Sequence, residues 1–255
     1  LQIVGDAMAV PLLEALNANP KRWDLSRLIH FGSGGAVFSA HVKAALKIHL
    51  PHTEMGDGMG TSETGISGMG EPAKDGGFMR LPSGDDQQVI VDGRIGVVGE
   101  VGYLSRTGNT PIGYYNDPVK TAEIFREIDD KLWVLTGDQA RLDADGMITL
   151  LGRGSTCINS GGEKIYPEEV EEVLRSHPSV HDAAVVGMPD EKWGQMVSAV
   201  VSLSNDAAMP DLANIQDFCR DKLAGYKLPR MLKIVDEISR SPAGKQDYKW
   251  AKAVL

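Results

Sequence analysis

"GRGSTCINSGGEKIYPEEVEEVL", residues 152–174, changes character partway along. Up to residue 165 it is mostly glycine, hydroxyl and small polar side chains with few apolar anchors. From Pro167 onward it has the pattern of an amphipathic helix. Proline suits a first helical turn, Glu168 and Glu169 complement the helix N-terminus, and Val170, Val173 and Leu174 fall on one stripe. A stretch so poor in apolar anchors is either a joint or a surface that receives a ligand. It divides the chain into two regions of different pattern.

Upstream, residues 1 to about 90 alternate helix and strand signals. "LIHF" (28–31) reads as a short buried strand. "SAHVKAALKIHL" reads as a helix, with Val42, Ala45, Leu46 and His49 at helical spacing and Pro51 as its stop. From "QQVIVDG" to "WVLTGD", short apolar runs separated by Gly, Asn-Asp and Asp-Gly predict antiparallel strands, and "DADGMITLLGR" adds a hairpin. Downstream, the pattern predicts a helix over 167–176, strands at "AAVVGM" and "MVSAVVSL", a helix over 211–224 and a strand at "MLKIVDEI". That is a compact α+β unit of about 100 residues. No internal repeat or low-complexity segment is present.

Composition narrows the function. The 255 residues carry a net charge of −9 without blocks of Lys and Arg, which argues against a nucleic-acid surface. An anionic ligand must then be met by a few placed cations. Cys157 and Cys219 share no metal-like or redox-like spacing, and such sparse usage fits a reducing, cytoplasmic setting. Asp6 and Glu14 interrupt the apolar start "LQIVGDAMAVPLLEAL", which reads as neither signal peptide nor transmembrane segment. With no initiator Met, the expectation is a chain that begins inside a longer protein.

Four short motifs have chemical potential, each with an ordinary alternative. "GSGGA" (32–36) after a strand lets backbone amides approach a flat or anionic ligand, and equally suits a plain turn. "GTSETG" (60–65) sets Glu63 among hydroxyls and glycines, a setting suited to Mg²⁺ or to a solvated carboxylate. "LTGDQARLDADG" places Asp138 where it can accept from a diol or bond its own backbone. The hairpin then returns to Gly152-Arg153, and arginine's fork of donors suits phosphate and ribose or simply the surface. "SPAGKQDYKW" displays Lys245 on a Pro- and Gly-rich loop, where an ammonium could neutralise charge on a phosphate oxygen.

In order and spacing these motifs resemble the adenylate-forming superfamily: acyl-CoA synthetases, peptide-synthetase adenylation domains and firefly-type luciferases. The resemblance covers essentially the whole chain. It implies that Gly34, Gly35 and Ala36 contact adenine, with Met59 where the family has a stacking aromatic. It implies that Gly60, Thr61, Ser62 and Glu63 form the Mg²⁺ and α-phosphate site, that Asp138 holds the ribose, and that Arg153 follows it. Gly154 and Ser155 would be the hinge, Ser160, Gly161, Gly162 and Glu163 would line the thiol channel for coenzyme A, and Lys245 would contact the reacting carboxylate. Thr61, Glu63 and Lys245 are the catalytic candidates and Glu63 the metal ligand.

Three departures stand out. Met59 replaces an aromatic, Ser155 replaces the usual Asp or Lys at the joint, and no stretch matches the family's Ser/Thr/Gly-rich phosphate loop. The implied architecture is the C-terminal portion of the large adenylation domain (residues 1–153, α/β plus antiparallel β), followed by a small mobile α+β domain (154–255). The implied activity uses ATP, Mg²⁺ and coenzyme A. A carboxylic acid becomes acyl-AMP and then a thioester, while the 255-residue chain alone is inactive. "GRGSTCINSGGEKIYPEEVE" and "SPAGKQDYKWAK" look most like bacterial synthetases for long-chain fatty acids or sterol side-chain acids. The alternatives are a non-catalytic nucleotide-contacting module and an adenylation domain that loads a carrier protein. The oligomeric state is not legible in the sequence.

Overall fold

The computed structural model describes residues 1–71, 79–205, 207–242 and 244–255. They divide into two compact units, Leu1–Ser155 and Thr156–Leu255.

The first unit opens with β1 (Gln2–Ile3), α1 (Gly5–Ala18), β2 (His30–Gly34), α2 (Ala40–His49), β3 (Glu54–Thr61) and β4 (Gly65–Gly70). The strands lie in the order β1-β2-β3-β4; the first three are parallel and β4 returns antiparallel to β3. Ile3, Ala9, Leu16, Phe31, Val42 and Leu46 are buried together between strands and helices. The α2 helix matches the sequence reading, with Val42 and Leu46 inward, and it ends before Pro51. No helix is evident from sequence at α1, because Pro11 lies inside it and no side chain caps its start. β2 begins at His30, not Leu28, and runs on into the glycines. Pairing with β1 on one side and β3 on the other holds those glycines extended despite their poor strand propensity.

The rest of this unit is a seven-stranded sheet. It contains β5 (Met79–Pro82), β6 (Gln87–Val91), β7 (Arg94–Ile95), β8 (Val101–Arg106), α3 (Pro118–Ile124), β9 (Phe125–Ile128), β10 (Lys131–Leu142) and β11 (Met147–Arg153). The path β5-β11-β10-β8-β6-β7 is antiparallel throughout, with β9 also paired to β10. One face buries Leu81, Val89, Leu104, Ala140, Ile148 and Leu150; Ile90, Ile128 and Trp133 form a second cluster. Buried Arg80 on β5 braces the β10–β11 turn through Asp143 at 3.3 Å and Asp145 at 2.6 Å.

The second unit holds β12 (Ile158–Ser160), β13 (Glu163–Ile165), α4 (Pro167–Arg175), β14 (Val180–Asp190), β15 (Gly194–Leu203), α5 (Leu212–Arg220), β16 (Met231–Val235) and α6 (Tyr248–Val254). Its strand order is β13-β12-β15-β14, and β16 joins β15 in parallel. The paired strands β14 and β15 are apolar on both faces because both are covered. Val185, Val197, Ala199 and Val201 meet Val170, Leu174, Ile215 and Cys219, while Ala184, Val186 and Val200 meet Ala251 of α6. α5 stops at Arg220, short of the sequence-predicted 224, and α6 has no counterpart in the sequence reading.

The stretch 152–165 is more ordered than its composition suggests. Gly152 and Arg153 complete β11, residues Gly154–Thr156 form one 3₁₀ turn, and β12 and β13 form a tight hairpin. Two apolar anchors suffice because Ile158 and Ile165 are direct register partners on one face, both essentially fully buried.

Candidate functional site

Parallel strands present their carboxyl ends on one edge of a sheet, where open α/β folds collect ligands. Gly34 pairs with Gly58, so Gly35-Ala36, which leave β2, and Met59 to Glu63, the last residues of β3 and the start of its turn, follow from neighbouring positions on paired strands. Gly35 has a φ of +82°, and a Cβ there would meet nothing within 4 Å. Its backbone therefore needs glycine and its face is open to a partner. Gly60 is small for an internal reason: a Cβ would stand 2.4 Å from the Gly65 carbonyl oxygen across the β3–β4 pair. Met59 is half-buried and packs partly on the apolar cluster of the second sheet.

The motif "GTSETG" is less of a loop than it reads, since β3 continues through Thr61 and β4 starts at Gly65. The Thr61 hydroxyl sits at the centre of the turn. It accepts from the backbone amides of Glu63 and Thr64, both at 3.2 Å, and lies 3.1 Å from the Thr64 hydroxyl. This fixes the backbone that carries Glu63. The Glu63 carboxylate is in turn held by Tyr114, whose hydroxyl donates to Oε1 at 2.6 Å. That bond holds the Glu63 carboxyl below its usual range and pushes the Tyr114 phenol up to about 12. Tyr114 itself is set by its amide donating to Thr121 Oγ1 at 2.8 Å, an edge contact with Phe125 and Lys120 over its ring. The sequence reading does not find Tyr114. Its reach to a carboxylate 51 positions away is tertiary, and adjacent tyrosines in a Gly- and Asn-rich stretch have no periodic signal.

Asp138 lies inside β10, which continues to Leu142. What re-aims it is a bulge. Between Leu135, opposite Ser105, and Gln139, opposite Tyr103, β10 has three residues where β8 has only Leu104. Gly137 takes a φ of +80°, and the Thr136 hydroxyl donates to the Leu104 carbonyl while accepting from the Asp138 amide. On its other side Asp138 stands opposite Arg153, whose Nε donates to Oδ1 at 3.2 Å. The arginine is about half exposed and the aspartate buried. The Thr-Gly-Asp and Gly-Arg motifs are thus one physical feature.

In the second unit, Ser160 and Glu163 close the β12–β13 hairpin around Gly161 and Gly162, both with positive φ, as a two-residue turn of this type requires. Ser160 is buried and Glu163 exposed. Lys245 is exposed and follows Gly244, whose φ is +74°. Ala243 of the same motif lies outside the described residues. Among the described residues no three His, Cys, Asp or Glu side chains gather into a metal cluster, and no helix is long and apolar enough to cross a membrane.

These features define a class, and comparison with known proteins agrees. Residues 169–245 match the family described as AMP-binding enzyme C-terminal domain. Those residues belong to that family, and the chain as a whole is similar to adenylate-forming enzymes. Within them it is similar to the 3-oxocholest-4-en-26-oate–CoA ligase of Rhodococcus rhodochrous, 48% identical over 98% of this chain and 47% of that relative. The medium/long-chain-fatty-acid–CoA/3-oxocholest-4-en-26-oate–CoA ligase of Mycobacterium tuberculosis H37Rv is 46% identical over 99% of this chain and 47% of its own length. Among solved structures, the amide bond synthetase McbA from Marinactinospora thermotolerans superposes with a TM-score of 0.77 at 27% identity, covering 97% of this chain and 55% of that one. The chain thus spans about half the length of the curated relatives it matches.

Proposed function

We propose that the chain is the C-terminal portion of an AMP-forming acyl-CoA synthetase that activates a long-chain fatty acid or a sterol side-chain acid. The substrate class follows the names of the relatives. The observation that carries the reading is the juxtaposition of Gly34–Ala36 with Met59–Glu63 at the carboxyl ends of two paired parallel strands. Adenine would lie along Gly34, Gly35 and Ala36, beside Met59 and Gly60. Thr61 would face the α-phosphate, and Asp138 with Arg153 would hold the ribose. Glu63 suits Mg²⁺: it is half-buried, ionised and steadied by Tyr114. A single such carboxylate is a typical protein share of a Mg²⁺ site completed by substrate phosphates. The cation would neutralise phosphate charge.

The chain's own residues then divide the work. A carboxylate and a triphosphate repel each other, so the first step, attack of the acid on the α-phosphate with loss of pyrophosphate, needs positioning and placed positive charge. Lys245 supplies that charge at the reacting carboxylate. In the second step the thiol of coenzyme A displaces AMP, and the Ser160–Glu163 hairpin lines its approach. Residues 1–153 and 154–255 act as two domains, with Gly154 and Ser155 absorbing the rotation between the two steps. The two free cysteines fit a cytoplasmic setting, which is the compartment proposed for the enzyme. The test is acid-dependent pyrophosphate release by the complete gene product, offered ATP, coenzyme A and a panel of fatty and sterol side-chain acids. Acyl-CoA and AMP formed in equal amounts are the expected products; release of pyrophosphate independent of any acid contradicts the reading.

A further inference from the structure

The loop that displays Lys245 is held from below. Arg240 and Gln246 pair across its two stems as an antiparallel bridge, with Ser241, Gly244 and Lys245 between them. Inside it the Gly244 amide donates to the Ser241 carbonyl, the Ser241 amide donates to the Lys245 carbonyl, and the Lys245 amide donates to Ser241 Oγ. Such a loop could still swing as a body about its two stems. It is tied down instead by β14. Arg240 forks onto Asp182, Nε to Oδ2 at 3.0 Å and Nη2 to both oxygens at 2.9 and 2.7 Å. Its remaining nitrogen, Nη1, donates to the Gly244 carbonyl at 2.9 Å, one peptide bond before Lys245. Gln246 adds a bond to the Ala183 carbonyl at 2.6 Å.

Asp182 is itself fixed. It lies just past a register shift between Val180 and Asp182, and its Oδ1 accepts from the Ala183 amide at 2.8 Å. Both members of the ion pair are largely buried, with side chains 17% and 16% exposed. Arginine is required for this arrangement because a planar fork can serve a carboxylate with one edge and a carbonyl with another; a lysine ammonium has no such geometry. The clamp joins the rigid β14–β15 core to the backbone of the residue beside Lys245.

We propose that Arg240 is a positioning residue for Lys245, acting through Asp182 and the Gly244 carbonyl to hold the loop at one height and orientation over β14. This rests on the reading of Lys245 as the cation of the first half-reaction. Misplacing a catalytic group by about 1 Å can cost about a hundredfold in rate, even when the mutation that causes it is not at the reacting atoms. Local opening of the loop should rise when its charge-assisted bonds are removed.

Two measurements test it together. In the complete protein, trypsin cleavage after Lys245 requires the loop to open, and Arg240→Gln and Asp182→Asn should each speed that cleavage about tenfold or more while the melting temperature stays near that of the parent. In the complete protein, Arg240→Gln should lower kcat for acyl-adenylate formation by about tenfold to a hundredfold with KM for ATP and acid unchanged, and leave thioester formation from supplied acyl-adenylate intact. Arg240→Lys should fall between the two. If Lys245→Ala is crippled in adenylation while Arg240→Gln is silent, the proposal alone is overturned. If Lys245→Ala is itself silent, the reading of Lys245 fails and the proposal falls with it. Equal losses in both half-reactions together with a lowered melting temperature would make Arg240 a fold residue only, which also overturns it.

Discussion

The Tyr114–Glu63 bond links a residue without a sequence signature to one that the motif pattern exposes. Glu63 titrates below its ordinary 4.5 because the Tyr114 hydroxyl donates to the charged form, and Tyr114 is raised from 10.0 to about 12 because losing its proton would face a carboxylate. The signs follow from linkage. The depressed Glu63 contributes stability that is fully present above its unfolded pKa and is lost as pH falls through the lower folded value. The raised Tyr114 contributes stability that is present below its unfolded pKa and is lost as pH rises through about 12. At neutral pH the bond is intact. Tyr114→Phe should therefore return the Glu63 carboxyl toward 4.5, followed by carbon-13 NMR. At neutral pH the variant should lose about 1 kcal/mol, the value for a charged hydrogen bond discounted for partial exposure. Below the Glu63 titration the two proteins should unfold alike. An unmoved Glu63 titration would show that Tyr114 does not govern it.

Among the elements, the β12–β13 hairpin separates backbone demand from packing demand. Gly161 and Gly162 both have positive φ, but a Cβ on Gly161 would stand 2.7 Å from the Trp193 ring, whereas one on Gly162 would meet nothing within 4 Å. Gly162→Ala should cost only the left-handed strain of about 1–2 kcal/mol. Gly161→Ala adds overpacking against an aromatic ring and should cost about 1–3 kcal/mol more. Thermal unfolding of both variants checks the order; equal losses would mean that Trp193 yields freely. The same hairpin shows what composition conceals. Glycines and polar residues read as a bare loop, yet one register pair, Ile158 and Ile165, anchors two strands. Elements with strong periodicity are legible: α2, α4, β14 and β15 lie close to where their patterns place them. Those that tertiary context imposes are not. β2 stays extended through glycine because it is paired on both edges, and α1 forms despite an internal proline because Ala9 and Leu16 are buried against the sheet. Asp138 and Arg153 are visible as separate motifs, but that they form one pair depends on a bulge with no sequence mark.

At the scale of the molecule, the two units have separate cores. The first is built on parallel and antiparallel sheets, and the second on a five-stranded sheet with α4 and α5 on one face and α6 on the other. The proposed nucleotide contacts lie in the first unit and Lys245 lies in the second, so the proposed chemistry depends on the second unit presenting its lysine for one half-reaction only. The most direct measurement is the partition of the Lys245→Ala defect in the complete protein between acyl-adenylate formation and thioester formation from supplied acyl-adenylate. The account predicts a loss of about a hundredfold or more in the first, the scale of removing one charge-stabilising group, and a nearly unchanged second. Equal losses in the two steps, or an unimpaired first step, would contradict it.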